Sequence, residues 1–322
     1  MSRVAIIGGS SGLGRSITEQ IAATKKHVVF VLSRKVNHKS TTRGPRQVLY
    51  LYQSDITVKV VDYSSPHSIA EVLRSNNIDT VISTMGVHSD EHFQSQLNAI
   101  EGAVESGTVK RFAPSEFAAD NAEAVRRNYP LPSSVYKTDT VAKLRETPLE
   151  YTRFINGCFL DYFGHPHAPT YLPMFAVGLD VENGVAAIPG DGNSKVAFTY
   201  SKDIGDYVAA ALDLDVWPEA SFIAGDKVTF NEMLAIAEKT RGVSFKVSYD
   251  SVASLKAGRS TELPANIPRY AFFPKAQLDA ILQGFGLNMA DGFLNFPDTN
   301  LAELLPQVKP LTVQAFFDRF WA

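Results

Sequence analysis

Gly8, Gly12 and Gly14 stand at the spacing G-x-x-x-G-x-G, directly after an apolar run at 4–7. Glycines so placed let backbone N–H groups approach a pyrophosphate at a helix N-terminus. Gly8 allows the tight turn, Gly12 the close approach, and Gly14 the close packing of helix on strand. Together with Gly9, Ser10, Ser11 and Leu13 they make a candidate dinucleotide-binding turn. A glycine triplet alone is weak, and a purely structural turn is the alternative. Here a strand pattern enters the turn and a helical pattern leaves it, as such a site requires.

The end of the next strand selects the cofactor. NAD sites usually place an acid there to accept bonds from the ribose 2′-hydroxyl. This chain places Ser33, Arg34 and Lys35. A guanidinium fork suits a 2′-phosphate, which an acid would repel. The expected cofactor is therefore NADP(H), with Arg34 and Lys35 as contacts. Arg43 is a candidate second phosphate partner, with a solvated loop charge as the alternative. Asp62 ends the third strand and is a candidate for the adenine edge. Thr84, Met85 and Gly86 follow the fourth, where small residues let a cofactor lie against the sheet. Plain strand-end turns are the alternative for these positions.

The elements that must position these residues alternate. Strand patterns fall at 4–7, 28–32, 58–61, 80–83, 111–113 and 151–155, and helical patterns at 13–24, 66–76, 93–106 and 137–146. That rhythm predicts an α/β fold with a doubly wound parallel sheet, whose ligands sit at the carboxyl ends of the strands. The stretch 35–47 reads as a loop. Beyond about residue 156 the rhythm breaks. Residues 164–174 hold Pro166, Pro169 and Pro173 with His165 and His167, and read as irregular. A strand at 196–200, a helix at 203–214 and a strand at 222–224 suggest that the chain rejoins the sheet over 195–225. A helix at 229–241, a proline- and aromatic-rich stretch at 263–273 and a closing helix at 312–321 follow. The expected organisation is a dinucleotide-binding Rossmann domain over 1–155 and a substrate-binding region over 156–322, interleaved with the sheet.

The chain has 322 residues, 45% hydrophobic and 20% charged, with a net charge of −3. These values suit a soluble globular protein with a sizeable core and give no broad basic field for nucleic acid. The lone Cys158 excludes an internal disulfide and fits a reducing compartment. No signal-peptide pattern opens the chain and no apolar run approaches a membrane span, so the expected setting is cytoplasmic. His165-Pro166-His167 is a poor metal site, with no carboxylate or cysteine cluster beside it in sequence, and no metal is expected. A monomer or homodimer is expected, and the aromatic closing helix is expected to pack on its own domain.

The segment Val109-Lys110-Arg111-Phe112-Ala113-Pro114-Ser115-Glu116-Phe117 resembles the V-K-R-F-x-P-S-E-F stretch of isoflavone reductase-like proteins. That family of atypical short-chain dehydrogenases/reductases includes phenylcoumaran benzylic ether reductases, pinoresinol–lariciresinol reductases and fungal NmrA-like proteins. Lys137 stands before Tyr151-Thr152 at the spacing of the family's catalytic lysine. Asn156-Gly157-Cys158-Phe159, Gly190-Asp191-Gly192 and Ala197-Phe198-Thr199-Tyr200 match as well. The resemblance spans 4 to about 240, and the last eighty residues match only loosely. It implies an NADP(H)-dependent reductase of secondary metabolism with Lys137 at its centre. Its ammonium would orient the nicotinamide ribose and supply or relay a proton, helped by a pKa lowered through desolvation and the oxidised ring's charge. Pro114, Ser115 and Asn156 are further candidate cofactor contacts. Phe117, Phe159 and Tyr162 are candidate pocket residues with hydrophobic core as the alternative, His165 is a candidate pocket residue with a solvent-exposed loop as the alternative, and Phe163 reads as core. Glu116 reads as structural, pairing with a loop backbone.

Two departures bear on function. Ordinary short-chain dehydrogenases carry Tyr-x-x-x-Lys, and here the tyrosine position is Ser133. Tyr136 is a poor substitute, since adjacent helical positions point about 100° apart. The glycine spacing also differs from the G-G-T-G-Y-I-G of the plant reductases, although it still suits a dinucleotide. The leading expectation is a reductase of a small hydrophobic, aromatic or polyketide-like metabolite. The alternatives are an NADP(H)-sensing regulatory protein without turnover and a redox-neutral isomerase or cyclase.

Overall fold

The computed structural model describes residues 1–34, 56–129, 131, 133–296 and 300–322. The first apolar run forms β1 (Arg3–Ile7), and the glycine turn leads into α1 (Gly12–Ala23). There follow β2 (Val28–Ser33), β3 (Ile56–Val60), α2 (Pro66–Ser75), β4 (Thr80–Ser83), α3 (Asp90–Ser106) and β5 (Arg111–Ala113). The short helix α4 (Asn121–Arg126), α5 (Ser134–Arg145) and β6 (Glu150–Tyr151) complete the series. The six strands form one parallel sheet in the order β3-β2-β1-β4-β5-β6. This is the Rossmann arrangement, in which the order reverses beside the first strand and opens a crevice at the carboxyl ends of β1 and β4. The central strands are buried on both faces, which is why they read as unbroken apolar runs. Ile7, Phe30, Leu32, Ile69, Ile100 and Phe112 pack in one core cluster beneath the helices.

Caps explain where the helices begin. Ser65 accepts from the Ser68 N–H at the head of α2, and Ser89 accepts from the His92 N–H at the head of α3. At the head of α5, Ser133 holds the N-cap position with its carbonyl bonded to the Lys137 N–H.

The chain divides into two compact units. The first holds Met1–Ile155 and Ile204–Ser221, and the second Asn156–Asp203 and Phe222–Ala322. The expected strand at 151–155 is two strands, β6 and β7 (Arg153–Ile155), separated at Thr152. Beyond it lie β8 (Cys158–Phe159), β9 (Leu179–Asp180), β10 (Val185–Pro189), β11 (Lys195–Thr199), α6 (Ser201–Ala211), β12 (Ala220–Phe222) and β13 (Asp226–Thr229). The chain ends through α7 (Phe230–Arg241), β14 (Lys246–Asp250), α8 (Val252–Lys256), α9 (Lys275–Ala290), α10 (Asn300–Leu304) and α11 (Val313–Phe320).

The expected return of 195–225 to the six-stranded sheet is corrected. In the second unit β11 pairs with β8 and β13 in a separate three-stranded sheet; β12 pairs with β7 alone, in a two-stranded sheet. Thr152 marks the break. Its buried hydroxyl bonds the Ser221 hydroxyl at 2.7 Å, so the extended chain changes partner there. Within the second unit, buried Asp161 accepts from the Ser201 N–H at 2.8 Å and from the Ser201 and Thr170 hydroxyls at 2.6 Å each. It thereby caps the start of α6. Burial raises its carboxyl pKa, and these donors oppose the rise. In α11, Phe316 and Phe317 are fully buried, and Trp321 donates to the Phe163 carbonyl at 2.8 Å. The closing helix therefore packs within its own unit.

Candidate functional site

The glycine turn is built to a tight tolerance. Gly8 has φ +77°, a conformation that L side chains rarely adopt. A Cβ on Gly14 would stand 2.4 Å from the Gly8 carbonyl oxygen and 2.3 Å from the Thr84 hydroxyl. Thr84 closes the turn from the neighbouring strand, its hydroxyl and its N–H both bonded to the Ile7 carbonyl at 2.7 and 2.9 Å. Unlike α2 and α3, α1 has no side-chain cap: Ser11 at its N-cap makes no such bond, and no acid stands in the first turn. Ser10 and Ser11 are exposed. A helix N-terminus left in this state carries N–H groups and a positive dipole end for an anion. The turn thus fits a dinucleotide pyrophosphate.

Arg34 is exposed at the end of β2. Its charge acts on Tyr63, whose hydroxyl donates to the Leu32 carbonyl at 3.1 Å and is raised in pKa by burial against that charge. Lys35 and Arg43 lie outside the described residues. Asp62 makes the turn that leads to α2. Its carboxylate accepts from the Ser64 N–H and hydroxyl at 2.9 and 2.7 Å, which hold it below the usual carboxylate range. Met85 packs partly buried against the core of the first unit, and Gly86 is exposed.

Lys137 lies half-buried on α5, and its Nζ donates to the main-chain carbonyl of Glu116 at 2.6 Å. Desolvation lowers its pKa, and the Glu116 carboxylate opposes that shift. Glu116 is itself fixed. Its Oε1 accepts from the N–H and the Nδ2 of Asn121 at 3.1 and 3.0 Å, and Ser134 donates to Asn121 Oδ1 at 2.9 Å. Arg153 reaches the Asp120 carboxylate at 2.9 Å beside it. Within this loop Ala118 has φ +90°, a left-handed conformation for a residue with a side chain. Ser115, two residues beyond β5, is part-exposed and makes no hydrogen bond among the described residues. Pro114 is buried. The Tyr136 hydroxyl donates to Asp90 at 2.6 Å, so it is committed elsewhere.

His88 escaped the sequence reading. It follows β4, and its ring packs over Gly86 so closely that a Cβ there would meet it at 3.0 Å. Its surroundings and the charge of Lys137 hold its pKa below the ordinary imidazole value. The signal was available: a histidine just beyond the small residues that end a central strand.

The expected pocket residues divide between the units. Phe117 is buried among core residues. It is 8% exposed in the first unit and stacks on Phe154 at 5.9 Å, and Phe154 in turn meets Trp217. Asn156 is fully buried in the second unit. Its amide donates to the Gly157 carbonyl, and its own carbonyl takes the Thr199 hydroxyl at 2.8 Å. Phe159 and Tyr162 meet edge to face, and Tyr162 stacks on Phe175 at 4.5 Å. His165 is exposed, with Nδ1 4.0 Å from a Glu182 oxygen. Phe163 is core, and His167 lies against Trp321. Cys158 is buried, and burial pushes its thiol pKa up. Among the described residues no cluster of histidine, cysteine and carboxylate suits a metal, and no helix is long and apolar enough to cross a membrane.

A Rossmann sheet, an uncapped glycine turn and a desolvated lysine define a dinucleotide-binding protein of the reductase type. Residues 1–272 match the NmrA-like family, and the chain belongs to that family. It is 34% identical to Oxidoreductase BOA1 of Botryotinia fuckeliana over 96% of both chains. It is 30% identical to Oxidoreductase swnN of Metarhizium robertsii, over 99% of this chain and 97% of that one. Its fold superposes on the solved structure of AtPrR2 with NADP+ and (+)pinoresinol with a TM-score of 0.75. That match has 23% identity and covers 99% of this chain and 98% of the other.

Proposed function

We propose that this protein is an NADP(H)-dependent reductase of a small hydrophobic, aromatic or polyketide-like metabolite. The observation that carries the proposal is the half-buried Lys137, whose ammonium is desolvated and anchored on the Glu116 carbonyl. A lysine held this way is a proton donor of lowered pKa, which an ordinary surface lysine is not. The names of the fungal oxidoreductases it resembles, and the NADP+ in the solved structure that shares its fold, support the same reading.

In this reading the N–H groups at the head of α1 bind the pyrophosphate and Arg34 takes the 2′-phosphate. Bound NADPH supplies the hydride. Lys137 donates hydrogen bonds to ribose hydroxyls and releases a proton toward the substrate. Ser115, whose hydroxyl makes no hydrogen bond among the described residues, orients a polar group beside it. In the second unit the aromatic side chains of Phe159 and Tyr162 are the candidate contacts for an apolar substrate.

The purified chain should consume NADPH with some member of a panel of aromatic enones, carbonyls and benzylic ethers, and Lys137→Ala should abolish that consumption. One observation favours a second reading, a sensor without turnover: Ser133 occupies the position of the usual acidic tyrosine, and Tyr136 is bound to Asp90. Tight NADPH binding with no consumption across the panel would overturn the reductase reading in favour of the sensor.

A further inference from the structure

The second unit holds a small cavity, open to the surface and lined by Tyr162, His165, Met174, Phe175, Asp180 and Arg269, among others. Its volume is about 20 Å³, and one water needs about 10–15 Å³. That is room for the two oxygens of a carboxylate, but not for a whole aromatic metabolite.

The donors and acceptors around it do not balance. Arg269 is part-exposed, but its Nε is buried and has no hydrogen-bond partner among the described residues. No ion pair is found for its guanidinium among the described residues, and burial alone lowers its pKa. An arginine keeps its charge in proteins, so a positive charge with one free buried donor borders the cavity. The Tyr162 hydroxyl also makes no hydrogen bond among the described residues, and burial holds it protonated as a donor. The nearby acids do not fill the deficit. The Asp180 carboxylate is committed to the Ala265 N–H at 2.8 Å and to the Asn183 amide at 3.0 Å. The half-exposed Glu182 faces His165.

The scaffold holds Arg269 in place. It sits on the 3-10 turn Pro264–Ala271, which is tied down at two successive residues. Ala265 bonds Asp180, and the buried Asn266 side chain both accepts from the Ala176 N–H and donates to the Ala176 carbonyl, at 2.8 and 2.9 Å. A buried N–H donor without a partner is unfavourable. One beside a cavity suits an acceptor group of a ligand, and a guanidinium matches a carboxylate in two-pronged fashion.

We infer that Arg269 and Tyr162 form a carboxylate-binding subsite, and that the preferred substrate is a flat, unsaturated or aromatic molecule bearing a free carboxylate. The carboxylate enters the cavity, and the apolar body lies along the stacked rings of Tyr162 and Phe175. This rests on the reading that the aromatic side chains of the second unit receive substrate, but not on turnover.

The test is calorimetric titration of the full chain with 4-hydroxycinnamate and with its methyl ester, alongside a separate NADPH titration. The acid should bind at least tenfold more tightly than the ester. Arg269→Met should remove that preference by weakening the acid alone, and Arg269→Lys should restore part of it. Both variants should keep wild-type NADPH affinity, which reports on the first unit and on folding. Equal binding of acid and ester, no binding of either, or an equal loss of both in Arg269→Met would overturn the inference. Loss of NADPH binding by the wild-type chain would instead sink the reductase reading and leave the subsite standing.

Discussion

Lys137 Nζ donates to the main-chain carbonyl of Glu116 at 2.6 Å, while the carboxylate of the same Glu116 is gripped by Asn121. One residue thus joins the end of β5 to the helix that carries the candidate proton donor. The geometry sets the position of the ammonium without neutralising it, because its hydrogen-bond acceptor among the described residues is an uncharged carbonyl. Burial then lowers the lysine's pKa.

That lowering has a stability consequence with a definite sign. Between the lowered folded value and the ordinary unfolded value, the unfolded chain binds more protons at Lys137 than the folded chain. Stability therefore rises with pH through that window, and is poorest below it, where the desolvated ammonium is fully charged. Lys137→Met should make the protein more stable than wild type at pH 7, with the gap closing toward pH 10. Urea midpoints at the two pH values check this. The same variant should lose turnover by about 100-fold or more, the usual contribution of a positioned acid. A variant less stable than wild type by the same margin at both pH values would show that the lysine's burial carries no penalty.

Gly12 and Gly14 should respond differently to alanine. At Gly14 the added Cβ meets backbone at 2.4 Å, and backbone cannot swing aside, so the turn must open. Gly14→Ala should be destabilised by about 1–3 kcal/mol, the range for overpacking, and should lose NADPH binding. At Gly12 nothing lies within 4 Å, but φ is +52°. Gly12→Ala should lose only about 1 kcal/mol from the left-handed backbone and still weaken NADPH, because the methyl stands where the pyrophosphate approaches. Thermal melts paired with NADPH titrations separate the two effects.

Much of the first unit was legible because fully buried parallel strands must be apolar, and because glycine and capping residues punctuate them. The strand at 80–83 and the helix over 66–75 follow directly from such signals. The second unit resisted because β8 and β9 are two residues long, too short to carry any periodicity. Side-chain type did not separate core from pocket: Phe117 and Phe159 look alike in sequence, and only the stacking of Phe117 on Phe154 places it in the core. Lys137 stood out through family resemblance, since a helical lysine is ordinarily solvated. Its support from Glu116, Asn121 and Ser134 was invisible, because loop geometry, not sequence spacing, brings those groups together. Arg269 lay hidden in the proline- and aromatic-rich stretch 263–273, where no pattern signals a cation beside a cavity.

Arg34 gives the sharpest test of cofactor choice. It is exposed, so removing it leaves the fold intact. Arg34→Ser should weaken NADPH by about ten- to a hundredfold, the value of about 1.5–3 kcal/mol for bonds to a charged group, and leave NADH unchanged. Arg34→Glu should reverse the preference, since an acid repels the 2′-phosphate and accepts from the 2′-hydroxyl. Fluorescence titration with the two nucleotides measures both. Equal losses for NADPH and NADH would place the phosphate contact elsewhere.

Asn121 is the link on which the Lys137 anchor depends, and its two substitutions should diverge. Asn121→Ala deletes the Nδ2 donor to Glu116 and the acceptor for Ser134, leaving buried polar groups unpaired at about 1–3 kcal/mol. Asn121→Asp preserves shape and the Ser134 bond but sets a second carboxylate against Glu116. Two carboxylates at that distance cannot both ionise freely, so one is raised above its unfolded value. The raised group makes the variant least stable at neutral pH, and the defect should shrink as pH falls and a proton is taken up. Urea unfolding at pH 7 and pH 5 therefore distinguishes the pair: the alanine variant should keep a constant deficit, and the aspartate variant should recover toward wild type at pH 5. Turnover should fall in both, because each loosens the loop that presents the Glu116 carbonyl to Lys137. Full activity in Asn121→Ala would mean that the lysine is held by its helix alone.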